Sequence, residues 1–182
     1  MQGLYALGQD IGLALAWILP ALCYISGGSF IAGGIWGIFQ RSSMANGFLS
    51  KGFVPELMIA AGATLLSFPE FLTAGSSTLG LTASAAMGGT TQEVSFSAQS
   101  LTTAASSGPA GVLTDILNEF SAYFACYGAL IVYFAIVRQV GRAKGANNSS
   151  LAVNLIMMIA GFLVMNVDVL APAILQELQL TS

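Results

Sequence analysis

The sequence predicts an all-α membrane protein that consists of two helical hairpins, about four apolar helices in all, joined by a Ser/Thr/Gly-rich connector. Three observations predict this fold class. The 182 residues are 55% hydrophobic and only 7% charged, with a mean hydropathy of +0.80. The apolar residues lie in long runs without charge. All five basic residues fall in two short stretches, each followed by an apolar run.

The composition excludes several classes of protein. Soluble domains are roughly 25% charged, and a soluble fold must cover its surface with polar groups. Five basic and eight acidic residues are too few for that purpose, so much of the surface must face lipid or other subunits. The net charge of −3 argues against a nucleic-acid-binding face. The chain has no histidine and only two cysteines, which argues against a metal site and against a disulfide scaffold.

The first apolar run, Ile11 to Phe39, contains 29 residues and no charge. A membrane-spanning helix needs roughly 20 residues, since each residue adds about 1.5 Å. This helix must therefore tilt, bend or project from the bilayer. Pro20 is the predicted position of a bend, because proline lacks the backbone donor and clashes with the preceding turn.

The second apolar run extends from Phe53 to Leu72. Pro55 suits a first helical turn, where no donor is required, and Glu56 then lies near the positive end of the helix dipole. The charge-free part, Leu57 to Phe68, has only 12 residues, which is the shortest of the four. A buried or re-entrant helix is the alternative to a full span here.

The connector, residues 73–112, is rich in serine, threonine, glycine and alanine. Apolar residues alternate with small or polar ones on both sides of Gly88-Gly89. This alternation is typical of a small β-hairpin, and a flexible linker is the alternative. The alternating residues are Leu79, Leu81 and Ala83, then Val94, Phe96 and Ala98.

The second half of the chain repeats the order of apolar helix, basic turn and apolar helix. Its first run is free of charge from Phe120 to Val137. Its second run extends from Leu151 to Leu175. A helix that begins at Leu151 would be capped by one of the polar residues at 148–150. We therefore divide the chain into a first hairpin (1–72), the connector (73–112) and a second hairpin (113–182).

The basic residues predict the topology. Lysine and arginine in short loops beside membrane spans stay on the cytoplasmic side. If both basic turns are cytoplasmic, the four runs alternate in direction, and the termini and the connector lie outside. Most of the acidic residues then also lie on the outer side. The basic residues of the two turns are Arg41, Lys51, Arg138, Arg142 and Lys144.

The two hairpins also share short sequence matches. Cys23-Tyr24 precedes the first turn and Cys126-Tyr127 the second, an offset of 126 − 23 = 103 residues. "MIAAGATLL", from Met58, and "MMIAGFLVM", from Met157, follow the turns at an offset of 157 − 58 = 99. Matches between apolar segments are common by chance, so the alternatives are an internal duplication and coincidence.

Small residues at helical spacing predict close helix contacts. In a membrane, small residues let two backbones approach, whereas burial of apolar groups gives no preference for protein over lipid. Two such faces occur in the first run, and further glycines lie in the returning helices. The predicted packing residues are Gly8, Gly12, Ser29, Gly33, Gly37, Gly62 and Gly161.

These features together resemble a known family. "LPALCYISGGSFIAGGIWGIFQ", the basic turn and "MIAAGATLLSFPEFL" resemble the first half of the DotE/IcmC proteins of type IVB secretion systems, and of the TraQ-type proteins of related conjugation systems. "LIVYFAIVRQVGRA" and "AVNLIMMIAGFLVMNVDVL" resemble their second half. Each hairpin separately is similar to a conjugative pilin. The resemblance covers most of the chain except the connector.

The resemblance implies a non-enzymatic structural subunit that lies in the bacterial inner membrane or is extracted into an extracellular pilus. It implies several partners: membrane lipid, further copies of the chain and other type IV secretion components. Transit of single-stranded nucleic acid or protein cargo is implied as well. It implies no cofactor other than bound phospholipid. In pili made of such hairpins the basic turn faces the lumen; for this chain, a role in topology alone is the alternative.

Two other classes of function are weighed against this one. A small channel or transporter is compatible with duplicated units, with helix interruptions and with the intramembrane polar residues Asn154 and Asp168. An intramembrane enzyme is disfavoured, because the chain has no histidine and because Glu56 and Glu70 lie at opposite ends of one short helix.

Overall fold

The computed structural model of the chain describes residues 2–43, 52–81 and 108–177, and these form seven helices. No strand occurs within these ranges, which confirms the all-α class for them. The helices are α1 (Gln2–Ser43), α2 (Val54–Leu66), α3 (Phe68–Thr78), α4 (Gly108–Glu119), α5 (Ser121–Ala143), α6 (Leu151–Met165) and α7 (Val167–Glu177).

Two of the helices are long and apolar enough to cross a membrane by themselves, over Asp10–Ser43 and Tyr123–Ala143. The predicted second and fourth spans are each broken into two helices. Helices α2 and α3 meet at 91°, and α6 meets α7 at 80°. The chain therefore has up to four spans if each bent pair counts as one, and a re-entrant helix stays the alternative for the second run. Helix α1, in contrast, continues through Pro20 without interruption.

The first break lies at Ser67. Pro69 stands two residues later, within the first turn of α3, where its missing donor costs no helical hydrogen bond. In a continuous helix Pro69 could not donate to the carbonyl of Leu65 and its ring would clash with that carbonyl, so α2 ends before Pro69. Most of the short charge-free segment, Leu57 to Phe68, lies in the 13-residue helix α2.

The second break lies at Asn166 and has no proline beside it. The Asn166 side chain donates a 2.8 Å hydrogen bond to the carbonyl of Phe162, and its backbone N–H bonds to Leu163 O at 3.2 Å. Asparagine often competes with the helical ladder in this way. The start of α6 follows the predicted pattern: Ser150 Oγ accepts a 3.1 Å bond from Val153 N and caps the helix.

The core lies where the two hairpins meet. Helix α1 packs along α2 and α5, and α5 packs along α6. Both cysteines are buried, as the sequence suggested, with Cys23 2% and Cys126 9% exposed. The central cluster of buried residues contains members from five helices. They are Leu19, Cys23, Leu65, Phe68, Leu72, Ala129, Val132, Tyr133, Phe162 and Met165.

The connector is described only at its edges. Leu79 and Gly80 form a turn at the end of α3, with Leu79 N bonded to Gly75 O at 3.3 Å and a φ of 73° at Gly80. The remainder of the predicted β-hairpin lies outside the described residues.

Candidate functional site: glycine crossings and basic turns

The first hairpin is held together by a backbone contact between two glycines. A Cβ atom built on Gly62 of α2 would lie 2.7 Å from the carbonyl oxygen of Gly27 in α1. A Cβ on Gly27 would in turn lie 3.0 Å from the carbonyl oxygen of Gly62. Ile31, one helical turn after Gly27, fills the space beside Gly62, at 2.7 Å from the same built Cβ. Only glycine at both positions allows this approach.

The second hairpin contains the same reciprocal contact. A Cβ on Gly128 of α5 would lie 2.5 Å from Gly161 O, and a Cβ on Gly161 of α6 would lie 2.8 Å from Gly128 O. Val132, four residues after Gly128, lies beside Gly161 at 2.6 Å from the built Cβ. The crossing is tighter than the first, since Met165 N is also 2.6 Å from a Cβ on Gly128.

These contacts define an equivalence between the hairpins. Gly128 corresponds to Gly27, an offset of 128 − 27 = 101, and Gly161 to Gly62, an offset of 161 − 62 = 99. Each returning helix breaks five residues after its glycine, at 67 and at 166, and each is followed by a helix of 11 residues. The offset of 99 agrees with the sequence matches after the turns. The offset before the turns differs by two residues from the one that the Cys-Tyr pairs suggested.

The predicted packing residues take different positions. Gly12 approaches α5, with a built Cβ 3.6 Å from Tyr123 Cα. Gly33 faces α2, where Met58 Cε would be 2.5 Å from its Cβ, and Gly37 is buried. Ser29 is exposed, and its hydroxyl donates to Ile25 O at 2.7 Å. Gly8 lies within α1.

The spacing argument missed three glycines that approach the backbone of a neighbouring helix: Gly27, Gly34 and Gly128. A Cβ on Gly34 would lie 2.8 Å from Pro55 O. Gly27 and Gly34 are seven residues apart, so they share a helix face at two turns' distance. A search for small residues spaced by seven, in addition to four, would have found this pair.

The first basic turn is closed by an ion pair. Arg41 Nη1 lies 2.7 Å from Glu56 Oε1, and Nη2 lies 3.3 Å from Oε2, so the contact is bidentate. Arg41 also donates to the carbonyl oxygen of Gly52, which has a φ of 56°. Both side chains remain more than a third exposed. Lys51 lies outside the described residues.

The second basic turn presents two exposed arginines, Arg138 and Arg142. Arg138 Nη1 lies 3.6 Å from Met157 Sδ, and its backbone carbonyl accepts a 3.2 Å bond from Asn147. Lys144 points back to the first hairpin, with its amine 5.2 Å from the centre of the Phe30 ring. Partial burial there lowers the pKa of Lys144 below its ordinary value of 10.5.

The two turns lie at the same end of the molecule but at different levels. Gly12 contacts Tyr123, and Phe30 contacts Lys144, so α1 and α5 run in the same direction. Lys144 is level with Phe30, which is 41 − 30 = 11 residues before Arg41. At about 1.5 Å per residue, the turns are staggered by about 16 Å along the helices. The four cations of the described residues, Arg41, Arg138, Arg142 and Lys144, therefore do not lie at one level.

Buried polar groups lie near both ends of α6. Asn166 is fully buried, and its amide donates to Ser76 Oγ at 3.3 Å, which connects α3 to the bend between α6 and α7. Asn154 is 3% exposed and donates to Gln139 Oε1 at 2.9 Å, while its Oδ1 has no hydrogen-bond partner within the described part of the chain. The same holds for Oδ1 of Asp168.

No protein-family model, no curated protein and no solved structure matches this chain. Within residues 2–43, 52–81 and 108–177, no group of three or more acidic or cysteine side chains is placed to hold a metal ion.

Proposed function

We propose that this protein is a non-enzymatic structural subunit of a type IVB conjugation or secretion apparatus, embedded in the bacterial inner membrane and assembling with copies of itself. The observation that carries the proposal is the bare apolar surface of α1. Seven large apolar side chains of this helix are more than half exposed, which is unusual for a soluble monomer. They are Trp17, Ile18, Tyr24, Ile25, Ile35, Trp36 and Phe39.

Lipid covers the whole length of this surface only if α1 tilts steeply. The charge-free part of α1, Ile11 to Phe39, contains 29 residues and is about 43 Å long. The hydrocarbon core of a bilayer is about 30 Å thick. An upright helix would therefore leave about 13 Å of apolar surface outside the lipid. Contact with another protein subunit would cover that remainder.

The resemblance to DotE/IcmC and TraQ-type proteins suggests which apparatus the subunit belongs to. The basic turns suggest its orientation, with both turns on the cytoplasmic side and both termini and the connector outside. The exposed guanidinium groups of Arg138 and Arg142 suit anionic groups, either phospholipid headgroups or the phosphates of a passing strand. We propose bound phospholipid as the only non-protein component.

Deletion of the gene from a producing strain, followed by complementation, tests this proposal. The wild-type gene should restore transfer of the conjugative element or secreted cargo. A variant with Arg41→Glu and Arg138→Glu should insert poorly and fail to restore transfer, because it moves negative charge to the cytoplasmic turns. The matched control, Arg41→Lys with Arg138→Lys, keeps the charge and should restore it. Full transfer without the gene would rule out the proposed function.

A small channel or transporter is the second candidate, and the bent helix pairs favour it. Transporters often carry interrupted helices at corresponding positions of two repeats, with polar groups at the breaks. Here the breaks at Ser67 and Asn166 correspond, and Asn166 is fully buried. Solute flux into proteoliposomes that is abolished by Asp168→Asn would favour this function over a structural one.

A further inference from the structure

We propose that the contact between the two hairpins of one chain is repeated between chains, so that the second hairpin of one copy docks on the first hairpin of the next. The partner is therefore a second copy of this chain, bound in a fixed register. This inference rests on the assembly function proposed above and specifies the surface that carries it.

The contact within the chain joins two equivalent units through different faces. Helix α1 uses the face of Gly12, and α5 uses the face of Tyr123, whose Cα lies 3.6 Å from a Cβ built on Gly12. By the offset of 101, Tyr123 corresponds to Leu22 of α1, not to Gly12. Such a contact is heterologous, because the two hairpins use different faces. Each hairpin therefore leaves uncovered the face that the other hairpin uses in the contact.

The unused face of the first hairpin is bare. On α5, Cys126 lies seven residues before Tyr133 on the same helix face, and Tyr133 and Val140 pack on the first hairpin; the three are 9%, 7% and 1% exposed. Their equivalents on α1 are Ile25, Ala32 and Phe39. Ile25 is 70% and Phe39 59% exposed, and Ala32 is also exposed. The same positions are thus buried in one hairpin and uncovered in the other.

The unused face of the second hairpin shows the converse. On α1, the face that packs on α5 includes Leu19 and Cys23, which are 1% and 2% exposed. Their equivalents, Phe120 and Phe124, are only half-buried. Further along this face, Ser26 is half-buried in the first hairpin, whereas its equivalent Tyr127 is 44% exposed. One copy therefore exposes, one on each hairpin, the two kinds of face that already meet once within the chain.

The internal contact also fixes the register between copies. Gly12 meets Tyr123, which is the equivalent of Leu22. Neighbouring hairpins are therefore displaced by 22 − 12 = 10 residues, about 15 Å along the helix axis. The same displacement predicts that Ser26 faces Val137 within a chain, since 26 + 111 = 137 and 12 + 111 = 123. The equivalent pair between chains is Tyr127 of one copy and Trp36 of the next.

A contact with such a displacement cannot close into a ring and instead builds an open array. Three successive displacements add up to about 45 Å, which exceeds the hydrocarbon thickness of about 30 Å. Long arrays must therefore leave the plane of the bilayer. The contact between copies is therefore expected in the membrane fraction and in material sheared from the cell surface.

Cross-linking between differently tagged copies tests the register. The background is Cys23→Ala with Cys126→Ala. One full-length copy carries Trp36→Cys and the other Tyr127→Cys, and both are produced together in the native host. Membranes and sheared surface material are treated with a short bismaleimide.

The positive control places Ser26→Cys and Val137→Cys in one chain. The register control pairs Tyr127→Cys with Ile18→Cys, which is 52% exposed and 36 − 18 = 18 residues away from Trp36.

We expect a heterodimer band from the Trp36/Tyr127 pair in at least one fraction, at five-fold or greater yield over the Ile18/Tyr127 pair. Equal yields from both pairs, or oligomers on native gels without the Trp36/Tyr127 product, would overturn this inference while leaving the assembly function intact. A strictly monomeric chain in both fractions, with lipid covering both faces, would overturn both.

Discussion

The two hairpins have the same backbone crossing but different surfaces. In both, a pair of glycines brings the helices into backbone contact, and the returning helix bends sharply five residues later. Yet Ile25 is 70% exposed in the first hairpin, whereas its equivalent Cys126 is 9% exposed in the second. The comparison shows that a few glycines determine how the two helices of a hairpin cross. The other positions can differ between the hairpins, according to which neighbour each one contacts.

The bends show the same division between shared geometry and different chemistry. Ser67 is exposed, and Pro69 accounts for the break there. Asn166 is fully buried and hydrogen bonded to Phe162 O and Ser76 Oγ. One hairpin therefore bends because its sequence cannot continue the helix, and the other because a polar side chain replaces a helical contact and ties the two hairpins together.

The largest expected effect is the loss of the tighter crossing. Gly128→Ala would place a Cβ 2.5 Å from a backbone oxygen that cannot move without shifting α6. We expect a loss of about 3 kcal/mol, the upper end of the overpacking range. Gly27→Ala meets its nearest backbone atom at 3.0 Å and should cost about 1 kcal/mol. Thermal unfolding in detergent measures both.

The control for this pair is Gly28→Ala, next to Gly27 but with no atom within 4 Å of its built Cβ. Alanine favours the helix there by up to about 1 kcal/mol, so this variant should be as stable as the wild type or more so. Alkylation of buried Cys126 and Cys23 reports on the two hairpins separately. Equal destabilisation by Gly28→Ala and Gly128→Ala would contradict the crossing.

The second effect concerns the two bends. Asn166→Ala removes both side-chain hydrogen bonds and leaves the hydroxyl of Ser76, which is 1% exposed, without this donor. We expect a loss of about 2 kcal/mol, typical of a buried hydrogen-bonded group. Ser67→Ala, at the equivalent exposed position, should stay within about 0.5 kcal/mol of the wild type. Similar losses at both bends would show that they are held in the same way.

A smaller effect is expected at the first turn, which has an ion pair between Arg41 and Glu56. Because both groups are more than a third exposed, a double-mutant cycle with Arg41→Ala and Glu56→Ala should give only a weak coupling. The coupling should fall further in 1 M salt, where charges are screened beyond about 3 Å. A strong coupling that does not depend on salt would mean that the pair is shielded from water in the assembled protein.

The smallest effect belongs to the second turn. Because burial lowers the pKa of Lys144 in the folded protein, the unfolded chain binds more protons just below pH 10.5. This group therefore makes the free energy of unfolding increase with pH in that window. Lys144→Gln should remove this increase, as thermal unfolding followed from pH 8 to pH 11 would show. An unchanged pH dependence would show that Lys144 does not titrate differently in the folded state.

The sequence predicts the helical class and the order of apolar helix, turn and apolar helix, because charge and hydropathy govern which segments enter lipid. It also identifies Gly62 and Gly161 as packing positions. The bend at Asn166 is not predictable in the same way, since it depends on a side chain that bonds across helices to Ser76. Gly27 and Gly128 were not predicted as packing residues. Each matters because of the glycine that it meets on the neighbouring helix, and spacing along the chain does not show that neighbour.

Labelling of the two turns tests the central claim most directly, which is that the basic turns of both hairpins lie on one side of the membrane. Single cysteines replace Ser43 and Ala146, both exposed, in the Cys23→Ala/Cys126→Ala background, with Leu79→Cys as the outer reference. We expect a membrane-impermeant maleimide to label Leu79→Cys in intact cells, and to label Ser43→Cys and Ala146→Cys only after permeabilisation. Labelling of Ser43→Cys and Ala146→Cys from opposite sides would contradict it.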